Sequence, residues 1–150
     1  MDSAKTCLGL LTIAFSLGLP LLGQAAKNTE PDRVEVQHIL ISFRGANERV
    51  KATRSKEEAE SLAKELLFRA RQGEDFDKMM KEHSDDPGEG IYRMTNTGVQ
   101  PDGSREELAR HRMVKSFGDV SFSLEIGEVG MAAYHPQNSK FGWHIIKRLK

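Results

Sequence analysis

Cysteine is nearly absent from this chain of 150 residues. The only one, Cys7, precedes the apolar run of the N-terminal region, whereas a lipid-modified cysteine would have to follow it, so a lipoprotein anchor is not expected. Without Cys7 the chain has no disulfide and no thiol nucleophile, which suits an oxidising compartment. Net charge is missing too: 22 Lys and Arg balance 22 Asp and Glu, so there is no broad basic field to hold nucleic acid. Only one long hydrophobic run occurs, Leu8 to Leu22. It is short for a membrane span and is weakened as a helix by Gly18 and Pro20. The histidines, His38, His83, His111, His135 and His144, show no close ligand spacing such as HxxxH, so no metal is expected. A hydrolase triad can be written on paper from Ser139, His144 and Asp86, but the nucleophile elbow GxSxG is absent.

What is present divides the chain into three parts. Residues 1–26 combine Lys5, the apolar run and the small residues Gly23-Gln24-Ala25, the pattern of a signal peptide cut near Ala25. An uncleaved membrane anchor is the alternative. Residues 27–33 are polar, contain Pro31 and read as a linker, and residues 34–150 read as one domain. Export to the periplasm or the medium is the expectation, with no stable membrane insertion once the signal is cut.

Within the domain, VEVQHILISF from Val34 to Phe43 alternates and then becomes continuously apolar, as a strand entering a core does. Ser55 and Glu58 form a capping-box pair. Ala59, Leu62, Ala63, Leu66, Leu67 and Ala70 then recur at helical spacing until Gly73. A second helix is expected from Asp75, burying Phe76, Met79, Met80 and His83, before HSDDPG breaks it. A short helical turn is expected from Glu106 to Arg110, and a further helix carries Met113, Val114, Phe117, Val120, Ser121 and Leu124 on one face. Val129 to Tyr134 and Trp143 to Leu149 read as strands. The order of strand, helices and strands gives an α+β domain with helices packed on a small, mainly antiparallel sheet.

Four separated segments, VQHILISF, SKEEAESLAKELLFRARQGEDFDKMMKEHSDD, MVKSFGDVSFSLEIGEVG and SKFGWHIIKRL, occur in an order that resembles the parvulin family of prolyl isomerases across residues 34 to 150. The resemblance implies a four-stranded sheet with the first and last strands adjacent at its centre, flanked by about four helices. It implies a hydrogen-bonded histidine pair, matched by His38 and His144, and an acidic residue beside them, matched by Asp86. A proline pocket falls on Met113 and Phe117 with Val114 beside them, and Phe122 and Phe141 complete the apolar wall. Ser139 matches a hydroxyl residue that relays or ends the histidine network. No cofactor is implied, and the expected partners are proline-containing polypeptides. One departure is plain: about ten extra residues separate Asp86 from Met113, and the stretch Arg93 to His111 has no counterpart in the pattern.

Rotation about an Xaa-Pro bond faces a barrier of about 20 kcal/mol because the amide must lose its resonance, and no bond has to break. A catalyst of that rotation must hold the twisted amide better than either planar form, with an apolar socket for the ring and a polar surround for the carbonyl. In that reading Met113 and Phe117 hold the ring, Asp86 sets the field at the carbonyl, and His38 and His144 fix the geometry. The plainer readings compete with it. Histidines on apolar strands are usually satisfied core residues, Asp85-Asp86-Pro87 is also a helix stop, and Met113 with Phe117 at i,i+4 is a common packing pair. A chaperone or peptide-binding module with little turnover is the alternative function. The basic stretch containing Arg44, Arg49, Lys51 and Arg54 reads first as a solvated loop.

Overall fold

The computed structural model describes residues 30–48 and 50–150. The expected signal peptide, Cys7, the first three residues of the expected linker and Arg49 lie outside the described residues. Eight main elements follow in order: β1 (Arg33–Ile41), α1 (Lys56–Arg71), α2 (Phe76–His83), β2 (Ile91–Thr95), β3 (Leu108–Ala109), α3 (Lys115–Ser123), β4 (Val129–Ala132) and β5 (Trp143–Arg148).

The strands form one sheet in the order β3-β2-β1-β5-β4. Every pairing is antiparallel except that of β2 with β3. The first long strand and the last are therefore neighbours at the centre, as expected. Five strands and three α-helices replace the four strands and about four helices anticipated, and the difference lies in the segment 96–112. There the expected helical turn over 106–110 does not form. Glu106 adopts a left-handed backbone, φ 55°, Leu108–Ala109 pairs with β2, and 3-10 turns flank them at Gly103–Arg105 and Arg110–Arg112. The cause is a set of long-range ion pairs that a local pattern cannot show. The almost buried carboxylate of Glu107 sits between Arg33 at 3.3 Å and Arg105 at 3.4 Å, and it accepts from the amide of Asp102. Arg110 reaches Glu30 at 2.5 Å and Asp119 at 2.8 Å. Residues 30–32 are thereby tied to the domain, with the side chain of Asn96 donating to the Pro31 carbonyl and its amide to that of Asp32.

The helices start where their caps place them. Ser55 accepts from the amide of Glu58 while the Glu58 carboxylate accepts from the amide of Ser55, and Asp75 accepts from the amide of Lys78 to open α2. Phe76, Met79 and Met80 are buried by α2, but His83 at its end is only half-buried. The third helix opens at Lys115 rather than Met113, because Met113 and Val114 are extended after the 3-10 turn that precedes them.

Alternation along the central strands separates two cores. Ile39, Ile41, Trp143 and Ile145 pack under α1 and α2 with Ala59, Ala63, Leu66 and Met79. Val34, Val36 and Ile146 point the other way, onto Met94, Phe117, Phe122 and Leu124 of the α3 side. Among the described residues no helix is long and apolar enough to cross a membrane.

Candidate active site

His38 and His144 lie on the α3 face of the two central strands. His38 pairs with Ile146 and Leu40 with His144, so the histidines are diagonal neighbours across one ladder. Their rings lie 13° from parallel with centroids 5.3 Å apart, and the two Nδ1 atoms are 3.2 Å apart. Both are buried.

The third polar group arrives on the turn after α2, which is stitched to the end of β1. The Leu40 amide donates to Ser84 Oγ at 3.1 Å, the Asp85 amide donates to the Leu40 carbonyl at 2.8 Å, and the Ser42 amide donates to Asp85 Oδ2 at 2.8 Å. The guanidinium of Arg54 completes the stitch, paired with Asp85 and donating to the Ser42 carbonyl at 2.9 Å. Arg54 is therefore no part of a free basic patch. On the other side His38 donates its amide to the Gly90 carbonyl at 2.9 Å. Gly90 has φ 63°, and a Cβ there would stand 2.6 Å from the His38 carbonyl, so the approach requires glycine.

These ties set Asp86 Oδ2 2.9 Å from His38 Nε2 and 3.1 Å from the hydroxyl of Tyr92. The hydrogen bond from His38 outweighs the opposing effect of burial and holds the Asp86 carboxyl below its ordinary pKa. An ionised carboxylate only accepts, so Nε2 of His38 carries a proton. One hydrogen is shared between the two Nδ1 atoms, and the tautomers of the rings set which of them donates. Nε2 of His144 is buried and, among the described residues, has no hydrogen-bond partner. Burial, followed by the neighbouring His38, pushes the His144 pKa down to about 3, so this ring stays neutral at physiological pH. The polar groups thus form one connected chain, His144 to His38 to Asp86.

An apolar floor adjoins the chain. Phe117 turns its ring edge-on to His38 at 5.2 Å and to His144 at 5.3 Å, and it is only 3% exposed. Met113 and Val114, half-buried, pack on the same cluster. A cavity of about 290 Å³ opens beside Asp86, lined also by Gly90, Ile91 and Tyr92.

The model of the PPIC-type PPIase domain matches residues 20–150. The chain belongs to the PPIC-type PPIase family. Foldase protein PrsA 4 of Bacillus cereus is 29% identical over 139 residues, covering 91% of this chain and 39% of the relative. Chaperone SurA of Pseudomonas aeruginosa is 31% identical over 118 residues, covering 79% of this chain and 24% of the relative. The chain thus spans well under half the length of either. Among solved structures, the peptidyl-prolyl isomerase ESS1 from Candida albicans superposes with a TM-score of 0.57 at 22% identity over 79% of this chain and 63% of that one. TbPIN1 gives the same TM-score at 21% identity, covering 79% of this chain and 98% of that one. These likenesses establish the parvulin fold for this PPIC-type domain.

Not every residue anticipated for the site of this PPIC-type domain reaches it. Phe122 is 2% exposed, lies beneath the Arg110 guanidinium at 4.8 Å and borders a separate cavity beside Glu30 and Pro31. Phe141 is half-buried in the turn before β5, with Lys140 Nζ 5.4 Å from its ring centroid. Ser139 is fully buried, but its hydroxyl donates to the Gly142 carbonyl at 3.0 Å and closes that turn, so the histidine chain does not run through it. The same geometry dissolves the paper triad, because Asp86 bonds His38 and not His144. Tyr92 is the residue that sequence reasoning missed: only the register of β2 against β1 reveals where its side chain goes.

Proposed function

We propose that this domain is a peptidyl-prolyl cis/trans isomerase that rotates Xaa-Pro bonds in exported, partly folded polypeptides. The observation that carries the reading is the polar chain of His144, His38 and Asp86 beside the apolar floor of Phe117, with a cavity opening at Asp86. Met113 and Val114, more accessible than Phe117, hold the proline ring against that floor. Asp86 presents a fixed negative charge to the rotating amide, whose polarity changes as resonance is lost. The histidines act as a rigid support. Rotation transfers no proton, and a neutral His144 aligns His38, which in turn orients the carboxylate. Neither a nucleophile nor a cofactor is needed for a reaction in which no bond breaks. Export rests on the apolar run Leu8 to Leu22 and the small residues that follow it.

A second reading, a holding module with little turnover, is favoured by the name Chaperone SurA carried by one relative. Exchange NMR on an Ala-Xaa-Pro-Phe peptide separates the two. The isomerase reading expects cis/trans exchange cross-peaks to grow with catalytic amounts of protein. Peptide binding without any acceleration at high protein concentration leaves only the holding module. N-terminal sequencing of secreted material tests export, with a cut expected near Ala25.

A further inference from the structure

Tyr92 has no role in the reading above, yet it touches Asp86, His38 and Phe117. It stands opposite Val36 on β2. Its ring lies edge-on to His38 at 5.1 Å and to Phe117 at 5.6 Å. Its hydroxyl donates to the same Asp86 oxygen that accepts from His38, and the other oxygen, Oδ1, has no hydrogen-bond partner among the described residues. A carboxylate held by a single donor can swing about its Cβ–Cγ bond. Two donors converging on one oxygen from β1 and β2 fix its plane.

We propose that Tyr92 is a positioning residue of this site: its phenol and the His38 imidazole clamp Oδ2 of Asp86, leaving Oδ1 for the substrate amide, while its ring fills the space between the carboxylate and Phe117. The inference deepens the isomerase reading and rests on it. The donor is constant, because burial, with the Asp86 charge next in importance, pushes the Tyr92 pKa up to about 12. The phenol therefore remains protonated at any pH below about 12. Clamping of this kind raises turnover without adding ground-state affinity, since it prearranges a charge that matters most in the twisted state.

The test is a double-mutant cycle on the whole protein, with kcat and KM for a proline peptide taken from exchange NMR on wild type, Tyr92→Phe, Asp86→Ala and the double variant. Tyr92→Phe keeps the ring and is expected to lower kcat about tenfold, the scale of a lost hydrogen bond to a charged group, with KM within about twofold. In the Asp86→Ala background the same change is expected to do nothing further. A tyrosine that only supports the fold would lower kcat equally in both backgrounds, and that result overturns the clamp, as does a Tyr92→Phe kcat equal to wild type. Imidazole nitrogen shifts recorded on the same samples without peptide keep the two readings apart. If wild type fails to accelerate exchange, the isomerase reading falls. The clamp then stands if Tyr92→Phe moves the His38 Nε2 resonance and falls if it does not.

Discussion

The two faces of the central sheet come from the same strands, one residue apart, and hold opposite chemistries. Toward α1 and α2, Ile39, Ile41, Trp143 and Ile145 enter a buried cluster that is wholly apolar. Toward α3 the interleaved positions include His38 and His144, joined there by Asp86, Tyr92 and Phe117. Burying those polar groups is unfavourable unless each is paired, and Nε2 of His144 is not. An orphaned buried polar atom of that kind costs about 1–3 kcal/mol. The contrast teaches a division of labour: both sides supply cohesion through an apolar cluster, and the α3 side also carries the polar chain of the site.

That division can be broken or sharpened by experiment, and the largest effect of a single substitution belongs to the dry face. Leu66→Ala empties a fully buried position under the sheet and is expected to cost about 3 kcal/mol in urea unfolding, with turnover per folded molecule unchanged. A matching loss of turnover would show that the two faces are not separable. The response to acid belongs to the other face. The folded-state pKa of His144 is about 3, far below its ordinary value of 6.5, so the unfolded chain binds the extra proton between those limits. Stability is therefore expected to fall as pH drops from 6.5 toward 3, by at most about 1.4 kcal/mol per pH unit for this one proton. Asp86, with its folded-state pKa lowered, keeps its contribution above the unfolded carboxylate range and loses it only as pH falls through the folded value, adding to the decline at the acid end. Urea midpoints at several pH values should flatten in His144→Asn; an unchanged slope would assign the acid response elsewhere.

Smaller effects should obey the same partition. Asp86→Ala is expected to lower kcat about tenfold, equivalent to about 1.4 kcal/mol, with little change in peptide affinity. Ser55→Ala removes the cap of α1 and is expected to reduce stability by about 1 kcal/mol while leaving kcat alone.

Much of this partition is legible before any coordinates. The capping box of α1, the two-residue period of β1 and the apolar spacing of α1 and α2 are local patterns, and local hydrogen bonding and burial enforce them. The pairing of His38 with His144 is legible only through resemblance. Alternation places each histidine on a face, but nothing local brings together residues 106 apart in the chain. Phe117 and Phe122 look alike in a hydrophobic pattern, yet five residues of helix set them about 140° apart, which directs one to the histidines and the other under Arg110. The segment 96–112 resisted reading because ion pairs from Glu30, Arg33 and Asp119 shape it, and such partners leave no periodicity in the segment itself. Tyr92 was missed for a related reason, since its importance depends on strand register and not on neighbouring residues.

The adjacency of β1 and β5 has a further consequence, in time rather than in space. Closing a loop of this length is entropically costly, and contacts of such high contact order form late and slowly compared with a helix that closes on itself in microseconds. The two histidines do not meet until that closure occurs. A refolding chain should therefore regain its helical signal well before it regains any catalytic power, and activity becomes a clock for the last, longest-range step of its own folding.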